Sequence, residues 1–461
     1  MKITSFGAAG NVTGSKHLLE ISDHRILLDC GLFQGSREQA DRKNRESLFD
    51  PSTLDAVVLS HAHIDHSGVL PLLIKQGYTG HIYSTHATYN LCNIMLLDSA
   101  FIQKRDAEWL QKKHRSFIAP LYDENHVYAT MKRFVSYSYE ERFEVAPDIY
   151  VTFHDAGHVL GSAMVEVQYR EKNRDRRFIF SGDIGRKNMP LLQDPWEPDD
   201  ADVVMMESTY GDRDHDPIET NEAKLAEVVL RTVNRGGKVI IPSFALERAQ
   251  EVVFCLKRLE MSGTIPEIPV FVDSPLTVNI TEIFRYHTEN FDDEFRQVMQ
   301  EGGDPFLLKH IEYIRNMDDS LRINSFKGPC IIISASGMCE VGRILHHLRN
   351  HCENPKNTIV IVGFQAQNTL GRRIVERQPE IKIFGVKRPL NAEVKTLNGF
   401  SAHAGRQELL EFGARFRRRP KNILLVHGEN ASLQALKSGL EEQKARGVKI
   451  MREAQPQRFD L

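Results

Sequence analysis

The run His61-Ala62-His63-Ile64-Asp65-His66 constrains this chain more than any other feature. It follows Asp55-Ala56-Val57-Val58-Leu59, a short β-branched stretch that reads as a buried strand. Three imidazoles and a carboxylate in six residues are dense for a chain with 19 histidines in 461 residues. Imidazole and carboxylate suit a borderline divalent ion such as Zn2+, and a hydrolytic site must keep a position open for water. A turn after the strand directs His61 and His63 to one ion and Asp65 and His66 to a second. Solvated surface histidines are the competing reading, and the fixed spacing behind a strand argues against it.

Six residues cannot complete two metal sites, so further ligands must come from elsewhere. His158, at the end of the strand 148–153 region, suits the first ion. Asp183 in Ser181-Gly182-Asp183 also follows an apolar strand, and its two oxygens can bridge two cations. His427 in Val426-His427-Gly428-Glu429 suits the second ion. Each alone could be a polar strand cap; together they repeat one placement at strand ends, where sites are built. Asp29 ends a strand too, and is expected to orient a ligand imidazole rather than bind metal. Two metals about 3.5–4 Å apart would hold a hydroxide at neutral pH and offset charge on a phosphorane-like transition state.

The rest of the chain divides by rhythm. At roughly 150 residues per domain the length suggests about three domains, or two large ones. Up to about residue 210, short strands end on polar residues and Gly. From about 218, helical patterns (218–235, 245–262, 341–352) alternate with apolar strands (238–244, 269–275, 329–337, 358–364, 381–386), which predicts a parallel doubly wound α/β unit. From 394 come a helix, a strand at 422–429 and a last helix near 430–446, too short to fold alone and expected to return to the first domain. The formal charge of −3 advertises no global nucleic-acid field, though a local basic groove is compatible with it. Cys30, Cys92, Cys255, Cys330, Cys339 and Cys352 form no CxxC pair and read as buried free thiols. With no apolar leader and no membrane span in the sequence, a cytoplasmic setting is expected.

These residues together resemble the metallo-β-lactamase superfamily, and within it the β-CASP nucleases. The extra motifs of that family look like Glu207 in Met205-Met206-Glu207-Ser208-Thr209-Tyr210-Gly211, His403 in Gly399-Phe400-Ser401-Ala402-His403-Ala404-Gly405, and His427. The stretches 7–15, 242–251, 334–338 and 363–373 extend the likeness over essentially the whole chain. The resemblance implies a four-layer αβ/βα metallo-β-lactamase sandwich with an inserted β-CASP parallel α/β domain. The expected boundaries are 1–208, 209–393 and 394–461, with the active site in a groove between the two. DNA-repair members usually carry Val at the last motif. His427 therefore favours the RNA-processing branch, which includes the endonuclease subunit of the eukaryotic cleavage and polyadenylation complex. The sequence is expected to carry neither a KH domain before the first strand nor the added C-terminal domain of ribonucleases of the J type, which lowers the expectation of 5′-exonuclease activity.

The implied activity is zinc-dependent RNA hydrolysis, mainly endonucleolytic, by a hydroxide bridging two Zn2+, giving 5′-phosphate and 3′-hydroxyl ends. A DNA nuclease of the same family, or one with 5′-exoribonuclease activity, is the alternative. Small-molecule hydrolases of the glyoxalase II type and inactive scaffolds are further rivals. Asp65, Asp183, Glu207 and His403 are the catalytic candidates. His403 would protonate the leaving oxygen or grip the phosphate, held by Glu207. For single-stranded RNA, the backbone N–H groups of Ser336, Gly337 and Met338, before a helix expected near Glu340, are candidate phosphate donors. Arg248, Arg372 and Arg373, at expected helix starts, are candidate phosphate partners. The basic runs 172–177 and 415–421 are expected in a hairpin loop and at a helix C-terminus. Homodimerisation is common in the family and is carried as an expectation.

Overall fold

The structure is a computed structural model that describes residues 1–46, 48–114, 119–217, 219–363, 365–366 and 368–459. Phe364 and Gln367, within the family-like stretch 363–373, lie outside the described residues. Contacts divide the chain into two units. One comprises 1–187, 194–214 and 402–461; the other comprises 188–193 and 215–401.

The first unit is built on two seven-stranded sheets. One runs, in spatial order, Gln457–Arg458, Lys2–Gly7, Lys16–Ile21, His24–Leu28, Ala56–Val58, His81–Thr85 and Phe134–Tyr137. The other runs Val448–Ile450, Asn422–Leu425, Val203–Met206, Arg174–Phe180, Ala163–Glu171, Ile149–Asp155 and Arg142–Ala146. Alternation along the strands sorts their side chains between two faces. Leu19, Ile26, Leu28 and Val58 of one sheet meet Val151, Phe153, Val165, Val167, Phe178 and Phe180 of the other in one apolar core. The intervening Met164, Ile179, Val204 and Met206 face outward and pack under helices Arg406–Ala414 and Asn430–Glu442. Helix His86–His114 packs on strands His81–Thr85 and Phe134–Tyr137 of the first sheet. This is a helix–sheet–sheet–helix sandwich, the four-layer architecture expected.

The order of strands positions the site. His24–Leu28, Ala56–Val58 and His81–Thr85 are mutually parallel, as are Arg174–Phe180, Val203–Met206 and Asn422–Leu425. Asp29, His61, Asp183, Glu207 and His427 lie just past the carboxyl ends of these strands, and His158 just past that of Ile149–Asp155.

The second unit carries a six-stranded, wholly parallel sheet in the order Ile311–Tyr313, Val270–Val272, Ile331–Ser334, Val239–Pro242, Thr358–Ile361, Glu393–Thr396. The four central strands are buried on both faces, so each reads as a continuous apolar run covered by helices on either side. Two expectations need correction here. The stretch 381–386 is not one strand of the parallel sheet: Glu380–Ile383 is a short strand that turns at Phe384 and Gly385, both at positive φ (49° and 81°), and pairs antiparallel with Val386–Pro389 in a separate two-stranded sheet. The sixth strand is Glu393–Thr396, parallel to Thr358–Ile361, so the second unit extends to 401 rather than 393. At the other boundary the division falls after 214 rather than 208, and the short segment 188–193 joins the second unit.

All six cysteines are buried and unpaired. Among the described residues, no helix is long and apolar enough to cross a membrane.

Candidate metal centre

The strand Ala56–Val58 ends and the chain turns sharply. Leu59 N–H still donates to Tyr83 (2.9 Å), and Ser60 N–H then donates to the Asp29 carboxylate (2.8 Å). His61 and His63 lie on this extended turn. His63 is the N-cap of the short helix Ile64–Ser67, so Asp65 and His66 are carried onto a different face. Gly31 makes the turn fit: a Cβ there would sit 1.6 Å from the Asp65 carbonyl oxygen. The same loop receives Cys30 N–H on His66 O at 2.7 Å and Ser15 N–H on Asp65 O at 2.8 Å.

Three imidazole nitrogens converge. His61 Nε2 is 3.1 Å from His63 Nδ1, which is 3.3 Å from His158 Nε2. Asp183 Oδ2 lies 3.6 Å from His61 Nε2 and 3.5 Å from His158 Nε2. Beside them, His66 Nε2 is 3.2 Å from His427 Nε2 and 3.3 Å from Asp183 Oδ2, with Asp65 Oδ2 3.8 Å from His427 Nε2. Donors bound tetrahedrally to zinc at about 2.0–2.1 Å stand roughly 3.3 Å from one another. The two sets match that spacing. They meet at Asp183, whose Oδ1 is buried with no hydrogen-bond partner, a costly state for a carboxylate oxygen unless a cation completes it. The donor chemistry fits a metal: imidazoles and carboxylates, no thiolate.

The ring orientations are set by partners behind them. Asp29, fully buried and at φ 61°, accepts His66 Nδ1–H at 2.7 Å and the Ser15 and Ser60 hydroxyls at 3.0 and 3.1 Å. Ser60 Oγ in turn takes His61 Nδ1–H at 3.0 Å, so one carboxylate orients two imidazoles, one directly and one through a hydroxyl. Thr209 Oγ1 takes His427 Nδ1–H at 3.1 Å and donates to the His427 carbonyl at 3.2 Å. His427 itself sits at φ 48°, the left-handed region, held by its N–H on Ala8 O at 2.7 Å. Sequence reasoning did not single out Ser60 or Thr209. Their positions beside His61 and Glu207 were the signal, since a ligand imidazole needs a partner for its second nitrogen.

Electrostatics separate the imidazoles. Burial, reinforced by neighbouring rings, holds His61 and His158 well below the usual histidine range. Burial also brings His63 down to about 4 against the pull of Asp65. These three carry lone pairs at neutral pH, as ligation requires. For His66, burial is outweighed by Asp183 and Asp29, which raise it. His403 stands apart from both nitrogen sets. Its Nδ1 is 3.1 Å from Glu207 Oε1 and its ring centroid 4.5 Å from that of His158. Burial works against its imidazolium, but Glu207 outweighs it and lifts the pKa to about 9. Glu207 is buried and also accepts Ile184 N–H at 2.7 Å and Thr209 N–H at 3.3 Å, which fixes it in place.

The structure therefore brings together His61, His63, Asp65, His66, His158, Asp183, Glu207, His403 and His427, with Asp29 behind them. It does not do so for the phosphate candidates. Arg248 is buried and its guanidinium is engaged by Glu251 one helical turn on, so it is not presented to solvent. Arg372 is exposed but pairs with Glu376 at 2.7 Å, and it lies inside helix Leu370–Val375 rather than at its first position. No helix starts near Glu340. The helix begins at Ile344, and the Ser336 N–H donates to Val341 O (3.3 Å) within its own loop. Gly337 and Met338 share that loop, against Phe244 and Gly371 respectively. Of the basic runs, only Lys172 and Asn173 form the hairpin turn; Arg176 and Arg177 pair with Asp202 and Glu166. Arg415, Arg417 and Arg418 do follow a helix end, and pair with Glu197, Asp199 and Asp200.

Asp29→Asn should lower metal affinity about 10–100-fold, because it removes the negative charge and one of the two acceptor oxygens behind His66 and, through Ser60, behind His61. Competition with a chromogenic chelator measures this; unchanged affinity would mean that the ligand rings hold their orientation without Asp29.

A model of the metallo-β-lactamase superfamily matches residues 12–243, and a Beta-Casp domain model matches 249–374. A model described as a Zn-dependent metallo-hydrolase RNA specificity domain matches 387–451. The chain is 37% identical over 436 residues to ribonuclease TTHA0252 of Thermus thermophilus, covering 95% of each chain. It is 32% identical over 450 residues to the transcription termination factor FttA of Methanosarcina mazei, covering 95% of this chain and 69% of that one. A solved structure of a protein of unknown function from Enterococcus faecalis V583 shares the fold (TM-score 0.56, 13% identity, 99% of both chains). The chain thus belongs to the β-CASP family of the metallo-β-lactamase superfamily, and is a metal-dependent hydrolase.

Proposed function

We propose that this chain is a zinc-dependent ribonuclease that hydrolyses RNA phosphodiesters, mainly at internal positions, leaving 5′-phosphate and 3′-hydroxyl ends. The observation that carries the reading is the pair of nitrogen sets sharing Asp183, with the Glu207–His403 pair beside them. The likeness to the Thermus thermophilus ribonuclease over nearly the whole chain supports RNA as the substrate class.

His61, His63, His158 and Asp183 would hold one zinc, and Asp65, His66, His427 and Asp183 a second. Bound there, zinc supplies a water nucleophile at neutral pH and neutralises charge on the attacked phosphate. The chain's own groups do the rest. Asp183 fixes the separation of the two ligand sets. Asp29, Ser60 and Thr209 keep the ligand nitrogens aimed inward. His403, with its Nδ1 proton on Glu207, presents the opposite ring nitrogen as the proton donor to the leaving 3′-oxygen. This chemistry does not use the 2′-hydroxyl, so selectivity for RNA must come from binding.

The test is one oligonucleotide made as RNA and as DNA and labelled at each end. It is incubated with zinc, with chelator, and with the Asp65→Ala protein. Internal cuts in RNA that vanish with chelator and in the variant are expected. Trimming from the 5′ end alone would move the reading to an exonuclease, and cleavage of DNA alone would overturn the choice of substrate.

A further inference from the structure

The parallel sheet of the second unit reverses its progression once. After Val239–Pro242 the chain steps over to Val270–Val272 and out to Ile311–Tyr313. After Ile331–Ser334 it steps the other way, to Thr358–Ile361 and then Glu393–Thr396. Val239–Pro242 and Thr358–Ile361 are hydrogen-bonded neighbours. The chain leaves the first towards Val270–Val272 and the second towards Glu393–Thr396, so the loops at their carboxyl ends part, and open α/β sheets take their ligands in the crevice so formed.

Phe244 stands at that point. It is the second residue past Val239–Pro242, and 39% of it is exposed. Single exposed apolar residues are ordinary on a surface. This one is seated by three loops. Ser243 N–H extends the strand pairing to the Ser334 carbonyl at 3.1 Å. The ring lies against Gly337, where a Cβ would come within 2.8 Å of it, and near Gly363, where a Cβ would come within 3.6 Å. The buried Gln365 ties those two glycines together, its Nε2 donating to Gly337 O at 2.9 Å and to Gly363 O at 3.2 Å. The glycines let a ring pack where side chains would displace it, and the crosslink holds them there. The result is a fixed aromatic surface at the ligand-binding end of the sheet. In this loop the Ser336 N–H, one of the phosphate donors first expected, donates instead to Val341 O, and the helix begins only at Ile344.

We propose that Phe244 is a stacking platform for one nucleobase of the bound single-stranded RNA, an inference that rests on the ribonuclease reading above. An aromatic face accepts any base, so the contact contributes affinity and register without reading sequence.

The test uses oligoribonucleotides that carry one abasic residue at successive positions around the cleavage site, with kcat and KM measured for the full chain. In the wild type, one abasic position should raise KM roughly ten-fold, the scale of one base stacked on an aromatic ring. Phe244→Leu should raise KM for intact RNA by a similar factor and lose its sensitivity to that position. Phe244→Trp should retain both. It should also show tryptophan quenching on adding RNA beyond that of the wild type, abolished by the abasic residue at that register. The quenching arm stands even if Phe244→Leu fails to fold. Equal KM values for wild type and Phe244→Leu, or quenching indifferent to every abasic position, would overturn the proposal while leaving the ribonuclease reading intact. Absence of wild-type cleavage of intact RNA would remove both.

Discussion

His403→Ala should keep its full zinc content and lose cleavage by about 10²–10⁴-fold, the usual worth of a positioned general acid. His63→Ala should lose zinc and activity together. The contrast follows from position. His63 Nδ1 is the hub of one nitrogen set, within 3.1 and 3.3 Å of His61 and His158. His403 belongs to neither set: its nearest charged partner is Glu207 at 3.1 Å, and Asp183 is 4.0 Å away. Its removal does not strand Glu207, which still accepts the backbone N–H groups of Ile184 and Thr209. The variant should therefore fold. Elemental analysis of both purified proteins, with initial rates on the same RNA, decides the matter. Equal zinc loss in the two would show that His403 is a ligand and not the proton donor.

Much of this centre was legible because metal chemistry restricts which residue types can take part, and strand ends restrict where they can be. His61 to His66, His158, Asp183 and His427 all follow apolar runs, and the structure gathers them at the carboxyl ends of strands in two facing sheets. The partners behind the rings were less legible, since Ser60 and Thr209 are common hydroxyls marked only by their nearness in sequence to His61 and Glu207. Arg248 shows a different failure. It does stand at the start of its helix, but reading it as a cation free for phosphate ignored Glu251 three residues on, the position from which a carboxylate reaches back along a helix. It also ignored that Ala249 to Leu256 are all buried, so the whole first half of that helix is interior. The strand expected at 381–386 failed because its turn is made by Phe384-Gly385, without the Asn or Asp that usually announces a two-residue hairpin. The edge strand Ile311–Tyr313 is short and only half-buried, so it left no apolar run to detect.

Asp183→Asn is the substitution with the widest expected consequence. Asp183 is a carboxylate within reach of both ligand sets: its oxygens lie 3.3 to 3.6 Å from nitrogens of His61, His66, His158 and His427. Burial opposes its ionisation, but His427 and His66 outweigh this and keep its pKa well below the ordinary carboxylate range. Asn is nearly the same size, so packing around the 2% exposed side chain should survive. What changes is charge. The amide removes the negative charge that the proposed centre would share between two dications, and places an NH2 group where a lone pair is needed. Zinc content should fall from two towards one per chain. Cleavage should drop by at least about 10³-fold, since metal stabilisation of a phosphoryl transition state is worth several kcal/mol. Unfolding followed with and without added zinc provides the second readout. A ligand that binds only the folded chain raises Tm, by about 2.7 kcal/mol of stabilisation at one hundred times Kd. Zinc should therefore raise the Tm of the wild type clearly more than that of Asp183→Asn. If both proteins respond equally to zinc and to chelator, Asp183 is a structural carboxylate and the two ligand sets bind their ions independently of it.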